Sequence, residues 1–280
     1  MKKTVLTLFL AVLVCICSGC GLNGYPVNVF GKDFKEAPKR VVCFSDTAAG
    51  YISSLGYGEF IVGVPGNVVN DFEGAADIGT PTEIYNETVI SLKPDLIITS
   101  FEIEKDFAEL LNQNKINVLN TENLNKFEDI KKYLFEISKL FCGEKKAEKK
   151  LNEYYDIFNG KISEIKSNNT ASGKKALIFI DDGFVITGDT FAGDVLKTAG
   201  INNTADNEQK YLMTEENIIK ANPDVIFCPK GFGDKIMKKT AFKELSAVKS
   251  GYVYEISVDG IFKGCEKMLN TLNEITNYLV

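Results

Sequence analysis

The 280-residue sequence contains no histidine and no tryptophan, and Arg40 is its only arginine. Without histidine, neither a histidine-based catalytic triad nor the common zinc sites that combine histidine with cysteine can form. The formal net charge is −6, and removal of Lys2 and Lys3 with the first nineteen residues would leave −8. An acidic protein lacks the basic surface that neutralises phosphates, so we expect no nucleic-acid partner.

Three motifs of common enzymes are also missing. The sequence has no G-x-x-x-x-G-K-[ST] loop for nucleotide phosphates, no G-x-G-x-x-G segment that opens a helix after a strand, and no G-x-S-x-G elbow. The acidic pair Asp181-Asp182 follows a predicted strand, where adjacent side chains point to opposite faces. We therefore expect a protein without catalytic residues, and an enzyme of another chemistry stays open as an alternative.

The first nineteen residues have the organisation of a signal peptide. Lys2 and Lys3 precede an apolar run over residues 6–16, which is shorter than the roughly 20 apolar residues that span a bilayer. Small residues then lead into Cys20, and this resembles a lipoprotein cleavage box in which Cys20 becomes the lipidated first residue. A plain secretory signal that is cleaved nearby is the alternative. In both cases the protein leaves the cytoplasm.

Four cysteines follow Cys20, and none of them stands in a C-x-x-C pair. Export permits disulfides, and Cys43, Cys142, Cys228 and Cys265 allow three pairings. Cys43 and Cys228 lie in apolar, strand-like runs, where a buried thiol packs as a small hydrophobic group. The pairing of Cys228 with Cys265 is the one that we would test.

Short apolar strands alternate with helical patterns after residue 38, first over residues 40–120 and again over residues 175–278. This alternation predicts parallel or mixed sheets flanked by helices. The predicted strands are 40–44, 60–64, 95–99, 116–120, 175–180, 225–228 and 252–256. The predicted helices between them are 46–55, 87–92, 104–114, 192–199, 215–221 and 267–278.

Between the two sets, residues 143–166 carry apolar side chains on one helical face through their whole length. Such a helix would be roughly 35 Å long. We therefore predict an α/β fold of two lobes joined by a single long α-helix, with a helix packed inside one domain as the alternative. The predicted divisions are a signal peptide (1–19), an N-terminal lobe (20–142), a linking helix (143–167) and a C-terminal lobe (168–280). The polar segment 167–173 is expected to end the helix.

An internal repeat supports two related lobes. The segment from Glu87 to Pro94-Asp95 recurs from Glu216 to Pro223-Asp224, and each copy has a glutamate seven residues before its proline. Each copy predicts a short helix, a Pro-Asp turn and a buried strand, because the residue before proline is disfavoured in helical geometry.

Several segments carry a family resemblance. They include Pro-Lys-Arg-Val-Val at 38–42, Leu-Lys-Pro-Asp-Leu-Ile at 92–97, Phe-Ala-Gly-Asp-Val-Leu at 191–196 and Ala-Val-Lys-Ser-Gly-Tyr-Val-Tyr at 247–254. Together they resemble the iron-chelate and vitamin B12 family of periplasmic-binding proteins over residues 37–279. The resemblance implies the extracytoplasmic solute-binding subunit of an ABC importer, anchored to the cell membrane by a lipid on Cys20. It would deliver a small-molecule ligand to a permease that a separate ATPase powers. We expect no intrinsic cofactor, no metal ligands and a monomer.

In that family the ligand lies between the lobes, held by loops at the strand ends, as is general for open α/β sheets. By position, the resemblance predicts a rim formed by loops 46–47, 81–85 and 100–102 of the first lobe and 182–184, 230–232 and 259–263 of the second. The predicted ligand-binding residues are Asp46, Thr47, Glu83, Tyr85, Phe101, Asp182, Phe184, Lys230, Phe232, Phe262 and Lys263.

The resemblance also implies that Glu87 and Glu216 dock onto basic residues of the permease, since paired carboxylates orient a charged partner. The alternative is that each negative charge only stabilises the N-terminus of its helix.

The missing residue types narrow the expected ligand. The metal-ion branch of this fold usually holds its metal with histidines, so only a carboxylate-based metal site stays open. Arginine grips anionic catecholates through its planar fork, and Arg40 is expected to be structural. We therefore expect a neutral or weakly charged metal chelate, such as a hydroxamate siderophore, a corrinoid or haem. A surface scavenger without a permease is a further alternative. We also expect little closure on binding, because a continuous helix is a stiff connection.

Overall fold

The computed structural model describes residues 24–121 and 123–280, so the predicted signal peptide and Cys20 lie outside the described residues. Two five-stranded sheets form two lobes, and one long helix joins them. The predicted α/β fold, with parallel or mixed sheets flanked by helices and a single long linking helix, is therefore confirmed. The divisions 20–142, 143–167 and 168–280 stay a prediction.

The first lobe has a parallel sheet in the order β5-β4-β3-β8-β9 and two small antiparallel pairs, β1-β2 and β6-β7. Every residue of β3 and β8 is buried, as is usual for parallel strands that are covered by helices on both faces. The strands are β1 (Val27–Val29), β2 (Lys32–Phe34), β3 (Val41–Cys43), β4 (Ile61–Val64), β5 (Ala76–Asp77), β6 (Gly79–Thr80), β7 (Glu83–Ile84), β8 (Leu96–Thr99) and β9 (Asn117–Asn120). The helices are α1 (Asp46–Ser54), α2 (Asn86–Ser91), α3 (Lys105–Gln113) and α4 (Asp129–Cys142), with short 3-10 helices at Gly58–Phe60 and Val69–Asp71.

The second lobe has a mixed sheet in the order β11-β10-β13-β14, with β12 paired to β10. Only the β10-β11 pair is antiparallel among these strands. The strands are β10 (Lys175–Asp181), β11 (Phe184–Val185), β12 (Asn202–Asn203), β13 (Val225–Cys228) and β14 (Val253–Glu255). The helices are α6 (Phe191–Thr198), α7 (Glu215–Ala221), α8 (Gly233–Lys238), α9 (Ser246–Lys249) and α10 (Cys265–Leu279), with 3-10 helices at Thr240–Phe242 and Val258–Phe262.

The linking helix α5 (Glu144–Ser172) has 29 residues and is about 43 Å long. The prediction that the polar segment 167–173 breaks the helix is wrong, because the helix ends only at Gly173, whose φ of 66° is left-handed. Polar side chains of its last turns bind the second lobe instead. The amide of Asn169 donates to the carbonyl of Ala199 at 2.9 Å, and the hydroxyl of Ser172 donates to the carbonyl of Leu279.

The internal repeat has the same backbone geometry in both lobes. The carboxylate of Asp95 accepts hydrogen bonds from the N–H groups of Lys39 and Arg40 at 2.7 and 3.1 Å, next to the start of β3. The carboxylate of Asp224 accepts one from the N–H of Lys175, at the start of β10, at 2.8 Å. Each Pro-Asp turn therefore ties its own strand to the neighbouring strand of the sheet.

A cation completes each copy of the repeat. The guanidinium of Arg40 donates twice to the carbonyl of Leu92, at 2.9 and 2.6 Å, just after α2. The amine of Lys175 donates to the carbonyl of Ala221, the last residue of α7, at 2.8 Å. Cations are favourable at helix C-termini, so Arg40 is structural, as expected.

The lobes also contact each other directly. The hydroxyl of Thr47 on α1 donates to the carbonyl of Phe262 at 2.7 Å. On the first-lobe segment between β9 and α4, the N–H of Phe127 donates to the carboxylate of Asp194 on α6 at 2.8 Å. One large hydrophobic core runs through both lobes and along α5. The relative position of the lobes thus depends on more than the linking helix.

The suggested disulfide between Cys228 and Cys265 is not present. Both are buried free thiols, and no disulfide joins the cysteines in residues 24–121 and 123–280. The thiol of Cys228 contacts the carbonyl of Tyr254 at 3.7 Å. Burial raises the pKa of Cys265 to about 12 and that of Cys228 to about 11, so both are neutral thiols.

Candidate functional site: a cavity between the lobes

A cavity of about 240 Å³ lies between the two lobes. Its first-lobe wall includes residues that follow the carboxyl ends of β3, β8 and β9, where α/β sheets place their ligands. The lining residues are Ser45, Thr47, Ser100, Thr121, Asn123, Leu124 and Tyr133 of the first lobe and Phe191, Tyr211 and Phe262 of the second.

The described lining side chains are hydroxyls, phenols, one amide and apolar groups. Asp46 lies beside them in sequence, but its carboxylate accepts a hydrogen bond from the N–H of Thr47 at 2.8 Å, at the N-terminus of its own helix. Ser45 caps the same helix, since its hydroxyl accepts from the N–H of Ala48 at 3.2 Å. The described part of the wall is therefore polar without formal charge.

Tyr133 extends the first-lobe wall from α4. Its ring packs between Phe30 and Tyr51, at centroid distances of 5.2 and 5.3 Å, and its hydroxyl bonds with the hydroxyl of Thr121. Burial raises the pKa of Tyr133 far above its usual range. Its phenol is consequently a neutral hydrogen-bonding group.

Three aromatic side chains form the second-lobe wall. Phe191 is the first residue of α6 and follows Thr190, whose hydroxyl accepts from the N–H of Gly193 at 3.1 Å. Phe262 ends a 3-10 helix, and its carbonyl is the acceptor for Thr47. Tyr211 lies in the segment between β12 and α7 and is half-buried. The hydrogen bond between Thr47 and Phe262 thus joins the two walls inside the lobe interface.

The structure brings together only some of the predicted ligand-binding residues. Thr47 and Phe262 line the cavity, together with Ser100 from the predicted rim. Asp46 and Lys263 line a separate cavity of about 100 Å³ behind α1, where Lys263 forms an ion pair with Asp259.

The other predicted ligand-binding residues lie outside the lining of the interlobe cavity. Phe101 packs on Phe44 at 5.9 Å, within a cluster of the first lobe. Phe232 packs in a cluster of the second lobe, with the amine of Lys235 4.7 Å from its ring centre. Glu83, Tyr85, Asp182, Phe184 and Lys230 are exposed. Their role in binding stays a prediction.

Seven lining residues lie beyond the predicted loops and were missed as ligand-contacting candidates. Tyr133 lies on α4, a helix outside the predicted set although its apolar residues recur at helical spacing. Thr121 directly follows a predicted strand, so the strand-end rule could have found it. Tyr211 is one aromatic residue in a polar segment and carried no usable signal. The remaining missed residues are Ser45, Asn123, Leu124 and Phe191.

The two predicted docking glutamates occupy equivalent places. Glu87 is the second residue of α2 and Glu216 the second residue of α7, and both are exposed. Within residues 24–121 and 123–280, no three or more acidic or cysteine side chains come close enough together to hold a metal ion. No helix in that part of the chain combines the length and apolar character needed to cross a membrane.

Comparisons with known proteins are consistent with this fold. A family model described as periplasmic binding protein matches residues 41–259. The ABC transporter substrate-binding lipoprotein YvrC of Bacillus subtilis (strain 168) is 27% identical over 254 residues, covering 86% of this chain and 80% of YvrC. The petrobactin-binding protein YclQ of the same organism is 22% identical and covers 100% of this chain and 99% of its own length.

Solved structures share the fold. The crystal structure of YclQ aligns with a TM-score of 0.69 over 89% of this chain and 95% of that chain. The haem-binding protein HutB of Vibrio cholerae aligns with a TM-score of 0.69 at 18% identity, over 86% of this chain and 98% of that chain. Both likenesses extend through the two lobes and the linking helix.

Proposed function

The chain belongs to the periplasmic binding protein family, and from that membership we propose that it captures a metal chelate between its lobes for an ABC importer. The observation that carries this proposal is the cavity of about 240 Å³ that both lobes line. It lies at strand ends and at a lobe interface, the two places where α/β proteins most often bind small molecules. The relatives named as substrate-binding, petrobactin-binding and haem-binding proteins support this class of solute.

The ligand is a neutral or weakly charged chelate, such as a ferric hydroxamate, a corrinoid or haem. Hydroxyl and amide groups in the cavity wall can bind oxygen and nitrogen atoms at the edge of such a ligand. The rings of Tyr133, Phe191, Tyr211 and Phe262 offer flat apolar surface for its body. The described part of the wall offers no cation, so an anionic chelate would lose its hydration there without compensation.

A chelate larger than the cavity also contacts the exposed rim. Phe184 and Leu212 are 44% and 53% exposed and form an isolated bridge next to Tyr211. Exposed apolar side chains beside a binding cavity extend its contact surface. The predicted role of Phe184 in ligand binding is consistent with this position.

Delivery to the permease uses the outer faces of the lobes, and the chain reaches the membrane through a lipid on Cys20. Glu87 and Glu216 present one exposed carboxylate from each lobe, at equivalent positions of equivalent helices. Two such charges, held at a fixed separation, orient a partner with two basic patches and act more on association than on affinity.

Titration with chelates of different charge tests the ligand class. A neutral ferric trihydroxamate, a ferric tricatecholate, haem and a corrinoid are titrated by calorimetry into the protein. We expect tight binding of one of the uncharged or weakly charged chelates and weak binding of the tricatecholate. Phe262→Ala should lose most of that affinity, and Tyr252→Ala, an exposed aromatic residue that does not line the cavity, should retain it. Preference for the tricatecholate, or no chelate binding at all, would refute the proposal.

Charge reversal tests delivery separately. The double variant Glu87→Lys/Glu216→Lys should lose uptake of the labelled chelate in cells and keep its affinity in solution. The matched control reverses two exposed glutamates elsewhere, Glu153→Lys on α5 and Glu244→Lys in the second lobe. Uptake that survives reversal of Glu87 and Glu216 would contradict the docking role and leave the ligand proposal standing.

A further inference from the structure

Tyr211 reaches the cavity wall from a backbone conformation that residues other than glycine rarely adopt. Lys210 and Tyr211 are consecutive and have φ angles of 56° and 62°, in the left-handed region where Cβ crowds the carbonyl oxygen. They are the central pair of a two-residue turn that the N–H of Leu212 closes on the carbonyl of Gln209 at 3.0 Å. A turn with positive φ at both central residues strongly favours Asn and Gly there, so lysine and tyrosine in these places are strained. Strain of this kind persists only where the surrounding structure enforces it, and it concentrates at binding sites.

Two polar side chains hold this turn in addition to its own backbone hydrogen bond. Both carboxylate oxygens of Asp189 accept from the N–H of Lys210, at 3.1 and 3.0 Å, and one of them also accepts from the hydroxyl of Thr187 at 2.6 Å. The hydroxyl oxygen of Thr187 in turn accepts from the N–H of Tyr211 at 3.1 Å. The carbonyl of Tyr211 accepts from the N–H of Val185 at 2.9 Å. The N–H of Lys210 is therefore bonded to Asp189 and the N–H of Tyr211 to Thr187. We call Thr187 and Asp189 the bracket.

Core packing does not account for the strain. Tyr211 is absent from the hydrophobic clusters formed by the described residues, and its neighbours Lys210 and Leu212 are exposed. What the conformation does achieve is to bring the tyrosine into the wall of the interlobe cavity. The hydroxyl of Thr187 and the N–H of Lys210 lower the pKa of Asp189, so its carboxylate is ionised and can accept all three bonds.

We propose that Tyr211 is the specificity-determining residue of the second lobe and that Thr187 and Asp189 are its positioning residues. The proposal rests on the proposed function of the cavity. With Tyr133, Tyr211 gives the cavity one tyrosine from each lobe. This arrangement selects a chelate with a flat apolar face and hydrogen-bond acceptors at its edge. Because the bracket holds the backbone of the turn in place before the ligand arrives, binding does not have to order this segment.

Two substitutions of Tyr211 test its contact with the ligand. The probe is a neutral ferric trihydroxamate, with haem and a corrinoid as further arms, measured by calorimetry on the full two-lobed protein. Tyr211→Ala should raise the Kd of the bound chelate about ten- to hundredfold, as loss of a central aromatic contact does. Tyr211→Phe should raise it about two- to tenfold if the hydroxyl bonds the ligand. A Kd for Tyr211→Ala within about twofold of the wild-type value would overturn the proposal.

The bracket is tested with the tyrosine in place. Asp189→Ala should raise the Kd about tenfold while the thermal midpoint changes little, because loss of an exposed carboxylate costs little global stability. Adding Lys210→Asn to Asp189→Ala should recover part of the affinity, because asparagine tolerates the left-handed conformation. Glu244→Ala is the matched control, since Glu244 is another exposed carboxylate whose pKa is lowered by a hydrogen bond, from Lys249.

The outcomes separate the two proposals. An Asp189→Ala variant with unchanged affinity would refute the positioning role. The same role would be refuted if affinity fell only together with stability and Lys210→Asn did not restore it. Wild-type protein that binds none of the chelates would refute the proposed function and this inference with it. Wild-type protein that binds a chelate, with variants that bind it equally well, would refute the inference alone.

Discussion

A methyl group at Gly50 should push the two lobes apart. Gly50 lies on α1 and faces the backbone of Lys263 and Gly264, just before α10. A Cβ at this position would lie 2.9 Å from the carbonyl carbon of Lys263 and 3.3 Å from the Cα of Gly264, with the carbonyl oxygen nearer still. Carbon atoms normally pack at about 3.5–4.0 Å. Because every crowded atom belongs to the backbone, no side-chain rotation can relieve the overlap.

Two opposing effects set the change in the free energy of unfolding of Gly50→Ala. Forcing one extra carbon into a close-packed interface costs about 1–3 kcal/mol, and alanine is better than glycine inside a helix by about 0.5–1 kcal/mol. The overlap with backbone atoms is severe, so we expect the steric cost to exceed the gain. Gly50→Ala should lower the free energy of unfolding by about 1–2 kcal/mol, which for a chain of this size lowers Tm by about 2–8 °C.

The matched control is Gly160→Ala on α5, where a Cβ would meet nothing within 4 Å. That variant should gain about 0.5–1 kcal/mol from helix propensity alone. Thermal unfolding followed by circular dichroism compares the two. Chelate affinity should also fall in Gly50→Ala, because Thr47 and Phe262 form the adjacent part of the cavity wall. A Gly50→Ala protein as stable as Gly160→Ala would refute the close contact between the lobes.

Two further predictions concern the repeat and the thiols. Asp95→Ala and Asp224→Ala should each lower the free energy of unfolding in urea by about 1 kcal/mol, because each leaves strand-start N–H groups without their carboxylate acceptor. Asparagine at either position should recover part of this loss. Alanine variants as stable as the wild-type protein would contradict the prediction. At pH 8, Cys228 and Cys265 should resist alkylation in the folded protein, because burial raises their pKa values to about 11 and about 12. Both thiols should react once the protein is unfolded without reductant, and peptide mass mapping measures this. Thiols that do not react in the unfolded protein would point to a disulfide.

Most of the fold could be predicted because its strands are short, apolar and separated by helices. The predicted strand at 225–228 has the observed bounds, and that at 95–99 begins one residue early. Parallel strands buried on both faces are continuous apolar runs, which are easy to recognise in sequence. The end of α5 could not be predicted, because the partner that Asn169 needs, the carbonyl of Ala199, comes from the second lobe.

The candidate site was harder to predict than the fold. Thr47 and Phe262 were predicted from the family resemblance, which places the binding loops at strand ends, but Tyr133 lies on a helix whose contact with the cavity is tertiary. The position of Tyr211 depends on hydrogen bonds from its own N–H to Thr187 and from the N–H of Lys210 to Asp189, each more than twenty residues away. A side chain placed by such a bracket carries no local pattern, since neither propensity nor periodicity records it.

The central claim is that the solute lies between the lobes, and crystals of the protein loaded with a ferric chelate test it most directly. Anomalous diffraction at the iron edge locates the metal independently of any fitted ligand. We predict one strong peak in the interlobe cavity, with the chelate in contact with Thr47, Tyr211 and Phe262. A peak on the outer surface of either lobe, with the interlobe cavity empty, would contradict the account.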